Sequence, residues 1–131
     1  MNYLPGFDNG YDAVLLTLDG GGLAALLAPL REAIATSGAA RVDTGGVTHD
    51  FAISANPAAA LTLQPHRVTW QLDRAKADEV AAGLTVLHDS GSAGHIYVDL
   101  QYPAPILVIS RDEYVHVAYP WVDPPGGHAL A

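Results

Sequence analysis

The sequence predicts an α+β fold: a two-layer sandwich with a split βαβ (ferredoxin-like) core and an appended C-terminal hairpin. Two segments with helical periodicity are flanked and separated by segments that alternate like strands. Two helices cannot cover both faces of a sheet of about five strands, so one sheet face is expected to stay partly bare. No repeat, linker or charge run divides the chain, which predicts a single domain over residues 1–131.

The first third of the chain predicts one strand followed by one helix. Residues 1–11 contain proline, glycine and asparagine, which predicts an irregular entry segment. Tyr11–Leu18 is rich in strand formers and predicts a buried strand. Large apolar residues recur at helical spacing over Leu23–Ile34, and Gly38 is expected to end that helix.

The middle of the chain predicts a loop and two strands. Residues 38–47 are small and polar and predict the loop, whereas Thr48–Ser54 predicts a short strand. Residues 58–63 fit either a strand or a corner, and the sequence leaves both open. His66–Leu72 has an apolar residue at every second position, which predicts a half-buried strand.

The last part of the chain predicts a helix and up to three strands. Asp73 is a candidate N-cap of the helix, and Gly91 is a candidate end. Gly94–Leu100 alternates and predicts a half-buried strand. Ile106–Ile109 is continuously apolar and predicts a central strand covered on both faces, or a strand at a subunit contact. The remaining expectations are a final strand over Tyr114–Tyr119 and a loosely held tail over residues 120–131.

Charge and composition exclude several classes of function. Fourteen acidic and six basic residues give a net charge of −8 without a basic patch, so we expect no nucleic-acid partner. The acidity favours a basic protein as partner, although it is also an ordinary route to solubility. The absence of cysteine excludes a disulfide scaffold or a zinc ribbon. No apolar run approaches the about 20 residues of a membrane span, and no leader-like pattern opens the chain. We therefore expect a cytoplasmic protein without a membrane partner. The sequence leaves open whether a leader peptide has been removed.

Residues 19–22 (Asp-Gly-Gly-Gly) are the first candidate for chemistry, since they lie between a predicted strand and a predicted helix. A glycine loop at a helix N-terminus can hold an anion. This loop lacks the lysine and the serine or threonine of phosphate-binding loops, and Asp19 would repel a phosphate. We interpret these residues as a tight turn with a helix cap.

His95, Tyr97 and Asp99 are the second candidate. Alternation places their side chains on one strand face, with Cα atoms about 6.5–7 Å apart from one to the next. His95 and Asp99, with His116 on a nearby strand, have the chemistry of acids, bases or metal ligands. They define an alternative function as a small enzyme or a metal- or ligand-binding protein. A metal requires three or four converging ligands, so the main prediction is no catalytic residue, no metal and no cofactor.

The third candidate is a surface that binds another protein. If the even-numbered residues of Gly94–Leu100 point inward, the opposite face shows His95, Tyr97 and Asp99 together with Arg67. Tyrosine and arginine are enriched among the residues that dominate interface energies. Asp112 and Glu113 are expected at the rim of this surface. The competing interpretation is that the C-terminal tail or a second subunit, as in a homodimer, covers this face.

The segment from Val68 to Tyr114 combines a strand with Trp70, a capped helix, the Gly-His-Ile-Tyr-Val-Asp of residues 94–99 and the Ile-Leu-Val-Ile-Ser-Arg-Asp-Glu-Tyr of residues 106–114. This pattern resembles small uncharacterised bacterial domains, some of which resemble the immunity proteins that block polymorphic toxins. The resemblance implies a non-enzymatic inhibitor and assigns no residue roles. We therefore expect an intracellular acidic domain that binds another protein.

Overall fold

A computed structural model of the chain describes residues 1–8 and 11–112. The described residues form eight strands and two helices. In chain order these are β1 (Asn2–Asp8), β2 (Tyr11–Leu18), α1 (Gly20–Thr36), β3 (Ala39–Thr44), β4 (Val47–Ser54), β5 (Ala59–Gln64), β6 (Arg67–Asp73), α2 (Arg74–Ser90), β7 (Gly94–Asp99) and β8 (Ile106–Arg111). Neither described helix has the length and apolar character needed to cross a membrane.

The strands form two four-stranded mixed sheets. The first sheet has the order β1-β2-β8-β7, with β2 and β8 parallel and the two outer pairs antiparallel. The second sheet has the order β3-β4-β6-β5, with β4 and β6 parallel. A bridge between Ala60 and Tyr102 connects β5 to the segment that follows β7. The first sheet is thus built from both ends of the described chain, and the second sheet from its middle.

The predicted α+β class is confirmed, but the ferredoxin-like arrangement of the strands in one sheet is not. Part of the difference is a strand that the sequence reasoning did not predict. The loop expected over residues 38–47 contains β3, which forms an antiparallel hairpin with β4. Gly45 and Gly46 make the turn with φ angles of 60° and 79°. Positive φ at both central residues is the conformation of a two-residue type I′ hairpin turn, which explains the two glycines.

A second unpredicted strand lies at the start of the chain. The entry segment over residues 1–11 was expected to be irregular, but Asn2–Asp8 forms β1 and pairs with β2. Leu4 is fully buried opposite Ala13. The pairing shifts register between Leu4 and Asp8, where the turn-forming residues lie. The expected strand over Tyr114–Tyr119, and with it the C-terminal hairpin, lies outside the described residues, as does the tail.

Side-chain caps begin both helices, as predicted. The Asp19 carboxylate accepts a hydrogen bond from the Gly22 amide at 2.7 Å, and that of Asp73 accepts one from the Lys76 amide at 2.8 Å. Each satisfies an amide that has no partner within the helix. The glycines after Asp19 form the first turn of α1 rather than a separate tight turn. Gly91 caps the C-terminus of α2 with a φ of 68°.

The main hydrophobic core contains residues of both helices and both sheets. Trp70 and Phe51 are among its largest fully buried side chains, and their ring centroids are 5.1 Å apart. Leu107 and Ile109 belong to this core, whereas Val108 belongs to a smaller cluster. Neighbouring residues of a strand point to opposite faces, so β8 is buried on both, and the predicted central strand is confirmed. The smaller cluster contains Leu4, Ala13, Leu15 and Val108.

Candidate functional site

β7 presents three polar side chains on the face that points away from the main core. His95, Tyr97 and Asp99 are exposed, with 55% of Tyr97 accessible, whereas Val98 between them is only 1% exposed. Ile96 packs against the main core. The predicted orientation of this strand is therefore confirmed. The imidazole of His95 meets the ring of Tyr97 edge-on, with centroids 5.2 Å apart.

α2 supports β7 from the core side. A Cβ built on Gly83 of α2 would lie 2.1 Å from Cδ1 of Ile96, so the absence of a side chain at this position lets the helix approach the strand closely. Leu84 and Leu87 of the same helix are buried in the main core. The three exposed side chains of β7 therefore project from a well-packed strand, and a packed support reduces the entropy lost when a surface binds a partner.

An apolar strip borders the polar side chains of β7. The antiparallel register pairs Tyr97 with Val108 and Asp99 with Ile106, and paired residues share a face. Val108 is nearly fully buried, and Ile106 is partly buried. On this face of the first sheet, the side chains of β8 are therefore largely covered, whereas those of His95, Tyr97 and Asp99 on β7 are exposed.

Arg67 does not join this row, because it lies in the second sheet. Its guanidinium Nη1 is 3.1 Å from Oδ2 of Asp50, and Nε of Arg41 is 2.5 Å from Oδ1 of the same carboxylate. The three residues come from three adjacent strands, β6, β4 and β3. Arg67 therefore belongs to a cross-strand ion-pair network rather than to the surface around Tyr97.

Asp112 lies directly after β8, beside the start of β7. It follows the last residue of β8, Arg111, which pairs with Gly94 at the start of β7. The Asp112 carboxylate is 3.3 Å from Nε of Arg111, and Nη1 of Arg111 donates to the carbonyls of Leu87 and His88 at the end of α2. Its place at the rim of a binding surface stays a prediction. Glu113 and His116, the other two predicted residues, lie outside the described part of the chain.

Sequence reasoning missed a buried histidine. His49 of β4 is 3% exposed, and its Nδ1 accepts a hydrogen bond from Nε1 of Trp70 at 3.1 Å. Because Nδ1 is the acceptor, the proton of the neutral ring is on Nε2. Burial lowers the pKa of His49 from 6.5 to about 4, so the ring is neutral at pH 7. Strand alternation could have revealed its burial. His49 lies two residues before Phe51, so both side chains point to the same, buried face of β4.

His49 also lines a cavity of about 470 Å³ between the two sheets. The cavity lies where β2 ends and α1 begins, facing the β3–β4 hairpin. Its wall combines apolar side chains with the imidazole of His49 and the carboxylate of Asp19. Lining residues include Leu16, Thr17, Asp19, Thr44, Val47 and His49.

Comparison with known proteins does not assign the site. No family model, curated protein or solved structure matches the chain. Within residues 1–8 and 11–112, no group of three or more histidine, aspartate or glutamate side chains is arranged to hold a metal ion. The fold and the candidate site together define an α+β domain with an exposed row of aromatic and charged side chains on β7, the outer strand of the first sheet among the described residues.

Proposed function

We propose that this chain is an acidic cytoplasmic domain that binds another protein through the outer face of β7, and that it inhibits a basic partner as an immunity protein does. Tyr97 carries the proposal, because a large aromatic side chain is 55% exposed although the strand beneath it is tightly packed. A tyrosine on such a support adds contact area and a hydrogen-bonding hydroxyl at low entropic cost.

The side chains around Tyr97 support a polar interface with one central anchor. His95 and Asp99 flank the ring on the same strand face and can donate and accept hydrogen bonds. Asp112 adds a carboxylate near the start of β7. Interfaces of this kind derive most of their energy from a few residues near the centre, with polar side chains at the rim.

The charge of the chain supports a basic partner. The net charge of −8 produces long-range attraction for a positively charged surface, which raises the association rate. Salt screens this attraction, with a Debye length of about 8 Å at physiological ionic strength. Association with the partner is therefore expected to slow as salt is added.

Site-specific photo-crosslinking tests the proposal. A benzophenone amino acid replaces Tyr97 in one variant and Val86, which is 63% exposed on α2, in the control variant. In a lysate of the source organism, the label at position 97 is expected to capture a basic protein that the label at position 86 does not. Capture of the same proteins from both positions contradicts a binding face on β7.

Reconstitution then tests affinity and inhibition. With the captured protein purified, Tyr97→Ala is expected to weaken binding at least about tenfold, as for a central interface residue, whereas Val86→Ala leaves it unchanged. The wild-type chain is expected to reduce the partner's activity in proportion to occupancy. Full partner activity at saturating occupancy would reject the inhibitor role but not the binding face.

A small enzyme or a metal- or ligand-binding protein is the alternative proposal, with His95, Asp99 and His116 as its residues. The observation that favours it is the placement of His95 and Asp99 on one exposed face of β7. Metal analysis of the purified chain, with thermal unfolding in zinc, nickel and manganese, tests it. Stoichiometric metal and a shift of several degrees that His95→Ala abolishes would support this alternative. An unchanged melting temperature with all three metals would contradict its metal-binding form.

A further inference from the structure

The cavity beside His49 is bordered by both sheets. Val47, His49 and Phe51 occupy every second position of β4 and therefore share a face, which is buried at Phe51. Thr44 of β3 pairs with Val47 and lies on that same face. Leu16 of β2, a member of the main core, lines the cavity from the first sheet. The volume of about 470 Å³ is in the range of small-molecule sites, which is about 300–1,000 Å³.

His49 turns a hydrogen-bond donor toward this cavity. Its Nδ1 accepts the indole N–H of Trp70, so Nε2 on the other side of the ring carries the proton. The described lining residues include His49 but not Trp70, which places the Nε2 side of the ring against the cavity. Nε2 has no hydrogen-bond partner among the described residues, although the side chain is almost fully buried. A buried donor without an acceptor is costly and rare, which points to an acceptor inside the cavity.

The donor and the walls together select a neutral carbonyl oxygen as this acceptor. Because Nε2 carries the proton, His49 can bind an accepting oxygen but not an ammonium group, which has donors only. The described apolar lining residues are Met1, Leu16, Leu18 and Val47. A carboxylate would lose its hydration in such surroundings, and Asp19, which also lines the cavity, would repel it. A neutral carbonyl group meets these conditions.

Two further groups of the cavity can accept a hydrogen bond from the same ligand. The Asp19 carboxylate holds the Gly22 amide through Oδ1 and has capacity for further donors. The Thr44 hydroxyl, on the same sheet face as His49, can accept as well. A ligand with an N–H group beside its carbonyl matches both the donor and the acceptors, and a carboxamide is a neutral group with this combination.

We propose that this cavity binds a small neutral carboxamide with an apolar chain, whose carbonyl oxygen accepts the Nε2–H of His49 and whose N–H group donates to Thr44 or Asp19. The apolar chain packs against Leu16 and Val47. None of the described lining residues belongs to β7, so this site is separate from the proposed protein-binding face, and the two proposals can fail independently.

Nuclear magnetic resonance of the full chain labelled with ¹⁵N-histidine tests the proposal. Hexanamide is the probe, and hexylamine, which carries an ammonium in place of the amide, is the matched control ligand. Hexanamide is expected to shift the His49 Nε2 resonance, assigned by its loss in His49→Asn, with a Kd of about 1 mM or tighter. Hexylamine is expected to bind at least about tenfold more weakly. Equal binding of the two ligands, or no saturable shift at about 10 mM hexanamide, as for a cavity that holds only water, overturns the proposal.

Filling the cavity gives a second test. Val47→Phe and the smaller Val47→Leu occupy space in the cavity without removing a hydrogen-bonding group, and Val86→Phe makes a matched change at an exposed position of α2. Val47→Phe is expected to abolish the hexanamide-induced shift and Val47→Leu to weaken binding at least about threefold, whereas Val86→Phe stays within about twofold of the wild-type Kd. Circular dichroism identifies the variants that fold. Wild-type affinity in a folded variant at position 47, or an equal loss at position 86, overturns the proposal.

Discussion

Protonation of His49 is expected to destabilise the fold as the pH falls below 7. Burial lowers the pKa of its imidazole to about 4 in the folded chain, against 6.5 for an exposed histidine. The unfolded chain therefore takes up the proton first, so the contribution of neutral His49 to stability is complete above pH 6.5 and is lost as the pH falls toward 4. The pKa difference of about 2.5 corresponds to roughly 3 to 4 kcal/mol of unfolding free energy in total. About 2 kcal/mol of this is lost by pH 5, where carboxyl groups of ordinary pKa remain mostly ionised.

Urea unfolding between pH 7 and pH 5, followed by tryptophan fluorescence, measures this loss. His49→Asn retains an oxygen that can accept the hydrogen bond of the Trp70 indole but cannot titrate in this range. His66→Asn is the matched control, since His66 is exposed. Wild type and control are expected to lose about 2 kcal/mol, and His49→Asn less than about 0.5 kcal/mol. A His49→Asn variant with the pH dependence of the wild type would refute the assignment of this effect to His49.

Three further predictions test the architecture by equilibrium unfolding. Tyr97→Ala is expected to change the free energy of unfolding by less than about 1 kcal/mol, because this side chain is exposed. Val98→Ala removes two buried methyl groups and is expected to cost about 2 kcal/mol. A larger loss for Tyr97→Ala than for Val98→Ala would mean that the two faces of β7 are assigned the wrong way round. Gly46→Val places a β-branched residue at a φ of 79° and is expected to cost at least about 1 kcal/mol of unfolding free energy. A variant as stable as the wild type would argue against the tight turn between β3 and β4. Asp19→Ala removes the N-cap of α1 and is expected to cost about 1 kcal/mol of unfolding free energy. Asp19→Asn keeps an oxygen that can accept the hydrogen bond of the Gly22 amide and is expected to cost less. Equal losses for the two variants would mean that the charge of Asp19, rather than its hydrogen bond, stabilises the helix.

Local signals predicted most of the elements and the orientation of the candidate site. The strict alternation of Gly94–Leu100 was sufficient to separate exposed Tyr97 from buried Val98, because side chains of a strand alternate between faces whatever its neighbours. The caps at Asp19 and Asp73 were equally predictable, since capping involves residues three positions apart.

The partition into two sheets could not be predicted in the same way. The pairing of β2 with β8 joins residues about ninety positions apart, and nothing local in either strand specifies the partner. β3 was missed because Ala39–Thr44 contains few large apolar residues, and its signal lay in the two glycines of the turn. Arg67 was grouped with Tyr97 because one sheet was assumed; the division into two sheets gives Arg67 a different neighbour, Asp50.

The interleaving of the chain in the two sheets has a consequence for folding during synthesis. The second sheet and both helices are contiguous in sequence and are complete once residue 90 has left the ribosome. β2 precedes this contiguous unit and its parallel partner β8 follows it, so β2 has no parallel partner until β8 has been synthesised. Pairing the two strands then closes a long loop, which is entropically costly. Until β8 emerges, the edge of β2 that will pair with it is exposed in the nascent chain, and an exposed strand edge is a site where a chaperone can prevent aggregation.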